Sequence, residues 1–162
     1  MPQNTPKRTH SRLIIATCGL PASGKTTFAL SERKKDPQGV CRANRDALRI
    51  AHAGDRLGEP RQEAIVTRAQ DEMIRAAFEY GYHTVIVDDT NLHGFGRLSI
   101  LAADLGADFQ VKDFRQVPLE TCLRRNAIRP AAERVPEEEI RKMHDKRVLP
   151  YLRRLAAEAA RA

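Results

Sequence analysis

Short apolar runs alternate with amphipathic stretches along this chain of 162 residues. Residues 13–18 (LIIATC) and the apolar centre of 83–89 (HTVIVDD) are typical of buried parallel strands. Weaker strand candidates lie at 39–43 and 108–116, and the four candidates are separated by segments with helical periodicity. Because strands that alternate with helices form parallel sheets with right-handed crossovers, the pattern predicts one α/β domain.

The longest amphipathic segment, 61–81, predicts a helix that ends at Gly81. Its expected apolar stripe consists of Ile65, Ala69, Met73, Ala76 and Ala77. Further helices are expected at 26–35, at 95–105 and from residue 119 onward, with an interruption at 129–136. A short helix that starts at 45–51 is expected to be broken by AGDRLGEP at 53–60.

Composition and charge narrow the class of protein. Hydrophobic residues make up 41% and charged residues 30% of the chain, as in ordinary globular domains. No apolar run is long enough for a membrane span, and the basic N-terminus has no apolar signal-peptide region, so residues 1–11 are expected to be a disordered tail. Three scattered cysteines favour reduced thiols and a cytoplasmic location. The net charge of +7 fits a polyanionic partner or, alternatively, an arginine-rich solvated surface.

A glycine-rich loop directly follows the first strand candidate. Residues 17–28 read TCGLPASGKTTF and match the phosphate-binding pattern G-x-x-x-x-G-K-[ST], in the strand-to-helix context that makes the motif specific. The glycines let backbone N–H groups turn toward a phosphate, and the helix start adds positive potential. Lys25 is expected to reach the β- and γ-phosphates of a nucleoside triphosphate, and Thr26 to bind Mg²⁺. The candidate nucleotide-binding residues in this loop are Gly19, Ala22, Ser23, Gly24, Lys25, Thr26 and Thr27.

Asp46 and Arg49, in the stretch ANRDALR (43–49), follow the second strand candidate. The carboxyl ends of parallel strands converge on the ligand crevice, so Asp46 is expected to face the nucleotide from the acceptor side. Arg49 lies three residues later on the same helix face. The pair is suited to accept a proton from a hydroxyl and to hold a phosphate. The alternative is a helix N-cap aspartate followed by a surface arginine.

Acidic residues also follow the third strand candidate, in VIVDDTN (85–91). Asp88 or Asp89 is a candidate for the Mg²⁺ shell, and Asn91 for orienting a backbone segment or the acceptor. A turn stabilised by its own side chains is the alternative explanation of the same residues.

Two arginines, Arg125 and Arg129, lie one helical turn apart in LRRNAIRPAAERVP (123–136). Arginines on a closing lid neutralise the transition state of phosphoryl transfer, with an effect of about 10³ to 10⁵ in rate. A solvated basic helix explains the same spacing without function.

Taken in order, GLPASGKTT, NRDALR, DDTNL and RRNAIRP resemble the motifs of the phage-type 5′-hydroxyl polynucleotide kinase family, over roughly residues 13–152. The resemblance implies an α/β P-loop NTPase of the adenylate-kinase-like three-layer type, with a central parallel sheet and a helical lid at about 119–136. It implies a single kinase domain over 12–162 that transfers the γ-phosphate of ATP, with Mg²⁺, to the 5′-hydroxyl ends of DNA or RNA. Nucleic-acid ends would be its partner in repair.

The resemblance also implies roles by motif position. Lys25, Asp46 and Arg129 would be catalytic, with Asp46 as the general base and Arg125 supporting Arg129 at the ATP. Arg49 would hold the phosphate 3′ of the acceptor nucleoside. Asp46, Arg49, Asp89 and Asn91 would bind the substrate, and Thr26 and Asp89 the metal. Thr26 stands where serine is common in the family, and the D-x-D-G-T phosphatase motif of its bifunctional members is absent, so a kinase step alone is expected.

Two other functions remain open from the residues alone. A P-loop kinase that acts on another hydroxyl, such as a tRNA-linked serine or a small molecule, would share the phosphate loop, the strand-end aspartate and the lid arginine. Arg49 separates the two kinases, because it matters only when the acceptor carries a phosphate beside its hydroxyl. The third possibility is an ATP-binding module without catalysis, which would need no acceptor base such as Asp46.

Overall fold

The strands of the chain form one parallel sheet. The computed structural model describes residues 11–54 and 59–161. The order across the sheet is β2-β3-β1-β4, and every neighbouring pair is parallel. The strands are β1 Leu13–Cys18, β2 Val40–Ala43, β3 Thr84–Val87 and β4 Asp108–Asp113. All four predicted strands are therefore confirmed, with β2, β3 and β4 shorter than expected.

Seven α-helices complete the described part of the chain. They are α1 Lys25–Lys35, α2 Arg45–Ala53, α3 Pro60–Glu79, α4 Gly96–Asp104, α5 Leu119–Ala127, α6 Glu137–Met143 and α7 Leu149–Ala159. A 3₁₀ turn, Ala131–Glu133, lies between α5 and α6, and a π-helical turn, His144–Val148, joins α6 to α7. The predicted interruption at 129–136 is confirmed as the segment between α5 and α6.

The sheet lies between two layers of helices. On one face, Ile14 and Val85 pack with residues of α3 and α4, including Ile74 and Leu101. On the other face, Ile86 packs with α1, through residues such as Ala29. This arrangement confirms the three-layer α/β P-loop fold, and it directs the carboxyl ends of all four strands toward one edge.

The helices of the C-terminal part pack beside the phosphate loop. Leu20, in the loop after β1, is buried against Cys122 and Leu123 of α5, and Ile140 and Val148 complete this cluster. Because Leu20 belongs to the phosphate loop itself, this cluster holds α5 next to the loop. The segment that carries Arg125 and Arg129 is thereby held over the same edge of the sheet.

The predicted apolar stripe of α3 is wrong in register. Ile65 is 50% exposed and Met73 36% exposed. The buried positions of the helix are Val66, Gln70, Ile74, Ala77 and Phe78, so of the expected stripe only Ala77 is buried. The buried face includes a glutamine, and a polar residue in the middle of the true stripe favoured the neighbouring face in the sequence pattern.

Two sequence expectations fall partly outside the described residues. The predicted disordered tail, 1–11, lies outside them except for Ser11. Within the predicted break at 53–60, α2 ends at Ala53 and α3 begins at Pro60, and residues 55–58 lie outside the description. No helix of the described residues combines the length and the apolarity that crossing a membrane requires.

Candidate active site

The loop between β1 and α1 has the backbone of a phosphate loop. Gly24 has a φ of 105° and Ala22 a φ of 62°, both in the left-handed region that turns successive N–H groups inward. A Cβ at Gly19 would come within 2.9 Å of the Phe114 Cβ, so the loop passes too close to the end of β4 for any side chain there. The turn therefore requires glycine at 19 for space and at 24 for conformation.

Lys25 bends over this loop. Its Nζ donates hydrogen bonds to the carbonyl oxygens of Gly19 (3.0 Å) and Leu20 (2.6 Å), and the residue is 7% exposed. Burial lowers the pKa of Lys25 to about 8, against the opposing attraction of Asp88. The site thus contains a desolvated ammonium that an anion would stabilise in its charged form.

A cavity of about 590 Å³ opens at the N-terminus of α1; we call it the P-loop cavity. Its size is that of a pocket for a small-molecule ligand. Seven of the nine predicted nucleotide-binding residues and three others line it: Ala22, Gly24, Lys25, Thr26, Thr27, Arg125 and Arg129, together with Phe28, Ser31 and Glu32. Its three cations outnumber its one carboxylate. The cavity is therefore suited to a phosphorylated ligand.

The segment that carries Arg129 is closed by a side-chain bridge. The Asn126 Nδ2 donates to the Val135 carbonyl (2.7 Å), and the Val135 N–H donates to the Asn126 Oδ1 (3.1 Å). The Arg134 Nε donates to the Arg129 carbonyl (2.6 Å). These bonds tie the two ends of the 127–134 segment together and hold the backbone of Arg129 beside the P-loop cavity.

A second cavity, of about 430 Å³, lies at the carboxyl ends of β2 and β3; we call it the Asp46 pocket. It brings together all four predicted acceptor-side residues with others that the sequence did not indicate. The lining is Arg45, Asp46, Arg49, Glu63, Asp89, Thr90, Asn91, His93, Gly94, Arg97 and Leu98. Three arginines here face three carboxylates, so the pocket is close to charge balance.

Asp46 is not the N-cap of α2. That position belongs to Asn44, whose Oδ1 accepts a hydrogen bond from the Ala47 N–H. The Asp46 carboxylate instead accepts a hydrogen bond from the Arg49 NH1 at 2.7 Å. The side chain of Arg49 is only 18% exposed, so neither part of the N-cap and surface-arginine alternative holds.

Glu63 holds Arg49 from the other side. Its Oε1 accepts from the Arg49 Nε (2.5 Å) and its Oε2 from the Arg49 NH2 (2.8 Å). The same Oε2 also accepts from the Arg45 NH2 (2.5 Å). The hydrogen bonds from Arg49, followed by those from Arg45, hold the pKa of Glu63 down to about 2.

Asp89 lies on the floor of the Asp46 pocket with both carboxylate oxygens occupied. The Arg45 N–H donates to its Oδ1 (2.9 Å) and the Gln70 Nε2 to its Oδ2 (2.7 Å). Gln70 is fully buried and also accepts from Arg97. Burial raises the pKa of Asp89, partly offset by the hydrogen bond from Gln70.

Asn91 orients backbone in this structure. Its Nδ2 donates to the Thr17 carbonyl at the end of β1 (2.8 Å), and its own φ of 45° is left-handed. Beside it, the Gly19 N–H donates to the Thr90 carbonyl (3.0 Å), and the Thr17 Oγ1 donates to the Asp89 carbonyl (2.9 Å). This seam of hydrogen bonds joins the entrance of the phosphate loop to the floor of the Asp46 pocket.

The two predicted metal ligands line different cavities. Thr26 lines the P-loop cavity, whereas Asp89 lines the Asp46 pocket. Asp88 is 2% exposed and pairs with Arg42 through its Oδ2, while its Oδ1 has no hydrogen-bond partner in the described structure. No cluster of three His, Cys, Asp or Glu side chains suited to a metal occurs among residues 11–54 and 59–161. A hydroxyl and one free carboxylate oxygen fit an Mg²⁺ ion that takes most of its ligands from phosphates and water.

The residues that sequence reasoning missed share one property: they act through ion pairs and hydrogen bonds across elements. Arg45 and Arg97 were masked by the general abundance of arginine. Glu63 and Gln70 lie on α3, 17 and 24 positions beyond Asp46 and within a helix that carries no motif. For Gln70, the only signal was a polar residue at helical spacing between Val66 and Ile74.

Comparisons with known proteins agree with this fold. The L-seryl-tRNA(Sec) kinase of Methanococcus maripaludis is 28% identical over 139 residues, which cover 83% of this chain and 52% of that protein. A chain in the structure of the Pnkp1/Rnl/Hen1 RNA repair complex has a TM-score of 0.75 at 24% identity, covering 93% of this chain and 48% of that chain. The Mycobacterium tuberculosis APS kinase CysC, in complex with AMPPNP and APS, has a TM-score of 0.54 at 18% identity, covering 86% and 98%.

The chain spans about half the length of the first two of these proteins. A family model described as "AAA domain" (AAA_33) matches residues 14–150, from the second residue of β1 to the start of α7. That match includes both cavities and the segment between α5 and α6. With its phosphate loop and its parallel sheet, the chain therefore belongs to the AAA domain family and has a P-loop fold.

Proposed function

We propose that this domain is an ATP-dependent polynucleotide 5′-hydroxyl kinase. The observation that carries the proposal is the pair of cavities at one edge of the sheet: a cation-rich one at the phosphate loop, and a second one with Asp46 beside Arg49. A module that only binds a nucleotide needs the first cavity and has no use for the second. The two-cavity arrangement thus favours transfer over binding alone.

The P-loop cavity would bind ATP. Backbone N–H groups of the loop and of the start of α1, such as those of Ala22 and Gly24, would cradle the phosphates, and Lys25 would exchange its loop carbonyls for phosphate oxygens. Arg129, supported by Arg125, would neutralise the charge that develops on the transferred phosphoryl group. When bound, Mg²⁺ would neutralise phosphate charge, held by Thr26 and the free Oδ1 of Asp88. We assign this role to Asp88 in place of Asp89, because both oxygens of Asp89 already accept hydrogen bonds.

The Asp46 pocket would bind the acceptor end. The acceptor oxygen forms its bond to the γ-phosphorus while the bond to the bridging oxygen of ADP breaks, and the hydroxyl proton passes to the Asp46 carboxylate. Arg49 would bind the phosphate 3′ of the acceptor nucleoside. Asp89 would keep Arg45 and the start of α2 in place, and Asn91 would connect the two cavities. The net charge of +7 would favour approach of a polyanion.

Two lines of similarity support a nucleic-acid acceptor. Four motifs resemble those of the phage-type polynucleotide kinases, and the fold resembles a chain of an RNA repair complex. The whole domain would then perform the 5′-phosphorylation step of end repair. The segment 119–136 would act as its lid, with Arg129 at the tip.

A second candidate has its own support. The similarity to an L-seryl-tRNA(Sec) kinase fits transfer to the hydroxyl of a tRNA-linked serine. Such an acceptor has no phosphate next to its hydroxyl. The two functions therefore make opposite demands on Arg49, which should be indispensable for the first and of little importance for the second.

The deciding experiment uses γ-labelled ATP, Mg²⁺ and oligonucleotides with either a 5′-hydroxyl or a 5′-phosphate end. Label on the 5′-hydroxyl strands alone is the expected result. Seryl-tRNA and deacylated tRNA blocked at the 5′ end by phosphate serve as the parallel substrates. Label on seryl-tRNA with none on the 5′-hydroxyl strands would replace the proposal with the second candidate, and ATP binding without label on either would reject both.

A further inference from the structure

We propose that Glu63 is a positioning residue that sets the selectivity of the Asp46 pocket for acceptors carrying a phosphate beside their hydroxyl, by fixing the guanidinium plane of Arg49. The inference rests on the proposed function, in which Arg49 meets the acceptor. Glu63 itself is not placed in contact with the reacting atoms. Its effect would pass through Arg49 to Asp46.

The contacts of Arg49 define which of its edges is free. A guanidinium has five N–H groups in one plane. Glu63 takes the Nε and one NH2 donor through a two-point contact, and Asp46 takes one NH1 donor. About two N–H groups remain, one on each terminal nitrogen. With its Nε edge held by Glu63, Arg49 has these two N–H groups left to donate to a phosphate in the pocket.

Glu63 also allows the guanidinium groups of Arg45 and Arg49 to lie close together. Its Oε2 accepts from both Arg45 and Arg49, at 2.5 and 2.8 Å. Without that carboxylate, two adjacent guanidiniums would repel one another, and Arg49 would be free to rotate about its long side chain. The low pKa of Glu63, about 2, keeps this counter-ion charged at any pH at which the domain would work.

The guanidinium plane of Arg49 also connects Glu63 to Asp46. The Arg49 NH1 that donates to Asp46 is rigidly linked to the edge that Glu63 holds. A rotation of the guanidinium would therefore move both the phosphate-binding donors and the orientation of the predicted base. Small displacements of this kind reduce the rate of a positioned reaction by up to about 10².

The experiment compares Glu63→Gln with Glu72→Gln, a matched change on the same helix. Glu72 is exposed and makes no ion pair with any of the described residues. Each variant and the wild type receive two acceptors, a nucleoside 3′-monophosphate and the plain nucleoside. For Glu63→Gln we expect the KM for the 3′-monophosphate to rise by about tenfold or more, the scale of one lost charge-assisted hydrogen bond. The KM for ATP should change little, the activity on the plain nucleoside should fall by a smaller factor than the activity on the 3′-monophosphate, and Glu72→Gln should match the wild type.

A purely structural role predicts a different result. Glu63 ties α2 to α3, so its loss also lowers the melting temperature, and assays are run well below that temperature. If the activity falls by the same factor for both acceptors, or if the wild-type preference survives in Glu63→Gln, the inference is overturned. Should Glu63→Gln fail to fold, Glu63→Asp retains the charge but is one methylene shorter, and it should lose part of the same preference.

Failure of the proposed function would be seen separately. A wild type that phosphorylates neither acceptor rejects the polynucleotide kinase and not the positioning of Arg49. In that case the NMR signal of the Arg49 Nε–H decides the inference, since Glu63 should shift it downfield and protect it from exchange. We expect inorganic phosphate to shift the terminal N–H signals of Arg49 in the wild type and not in Glu63→Gln. An unchanged Nε–H signal in the variant would contradict the inference.

Discussion

The P-loop cavity and the Asp46 pocket lie at the same edge of the sheet but are built in different ways. The first takes most of its lining from one continuous stretch, 22–32, and adds two arginines from one other segment. The second takes its lining from α2, α3, α4 and the loop after β3, joined by ion pairs between α2 and α3. The first is rich in positive charge and the second is close to neutral. The first cavity therefore depends mainly on a short local sequence, whereas the second depends on how distant elements pack.

The largest expected effect comes from removing Arg129, one of the two arginines that line the P-loop cavity from outside the stretch 22–32. Arg129→Ala should lower kcat by about 10³ or more, the range of arginines that neutralise phosphoryl transfer. The melting temperature should stay close to that of the wild type, because the side chain of Arg129 makes no hydrogen bond or ion pair with other described residues. Steady-state kinetics and thermal melts test this together. A large loss of stability would instead make Arg129 structural.

The next effect should be confined to the Asp46 pocket. Asp46→Asn is expected to lower kcat by about 10² to 10⁴, the usual contribution of a general base, and to leave ATP affinity unchanged. Isothermal titration with a non-hydrolysable ATP analogue measures the affinity, and single-turnover assays measure the rate. An unchanged rate would remove Asp46 from the role of base. A matching loss of ATP affinity would mean that the two cavities are not separable.

The bridge between Asn126 and Val135 should have a smaller effect. Asn126→Ala removes both hydrogen bonds that close the segment carrying Arg129, so kcat should fall by up to about 10². Amide hydrogen exchange of 127–134 should become faster. Asn126→Asp keeps an acceptor for the Val135 N–H but loses the donor to its carbonyl, and it should lie between Ala and the wild type. A full loss of activity without faster exchange would contradict the positioning role.

The smallest effect concerns protons at the P-loop cavity. The pKa of Lys25 lies near 8 because burial disfavours its charge, and bound phosphates should raise it. Below pH 8 the Lys25 side chain is mostly charged before the nucleotide binds. Above pH 8 it is mostly neutral, so nucleotide binding must be accompanied by the uptake of a proton. Affinity should therefore fall by about tenfold between pH 7 and pH 9. Burial raises the pKa of the nearby Cys18 to about 11 and also raises that of Cys122, so these thiols should not contribute in that range.

Titration calorimetry in buffers of different ionisation enthalpy measures that proton uptake directly. Uptake near one proton at pH 9 and near zero at pH 6.5 is expected. Equal uptake at both values would show that Lys25 does not titrate on binding.

The same contrast explains what the sequence could predict. The strands, their parallel arrangement and the phosphate loop follow from local patterns, and the structure confirms them. The rule about strand ends predicted that Asp46 faces the crevice, helical spacing added Arg49, and the family resemblance added Asp89 on the acceptor side. Glu63 and Gln70 could not be found in this way, because their roles depend on where α3 packs and the hydrophobic pattern of α3 indicated the wrong face. Gln70 is fully buried at a core position of α3 although its side chain is polar, so hydrophobicity alone could not assign it to the buried face.

The hydrogen-bonded seam between 17–19 and 89–91 has a consequence for how such a domain can diversify. It fixes the distance between the two cavities, because the floor of the Asp46 pocket cannot shift without the entrance of the phosphate loop. Changes in acceptor must then come from the opposite wall, formed by α2 and α3. Exchanging that wall between related domains, with the phosphate loop and the seam left intact, is the route by which one kinase scaffold would acquire a new substrate.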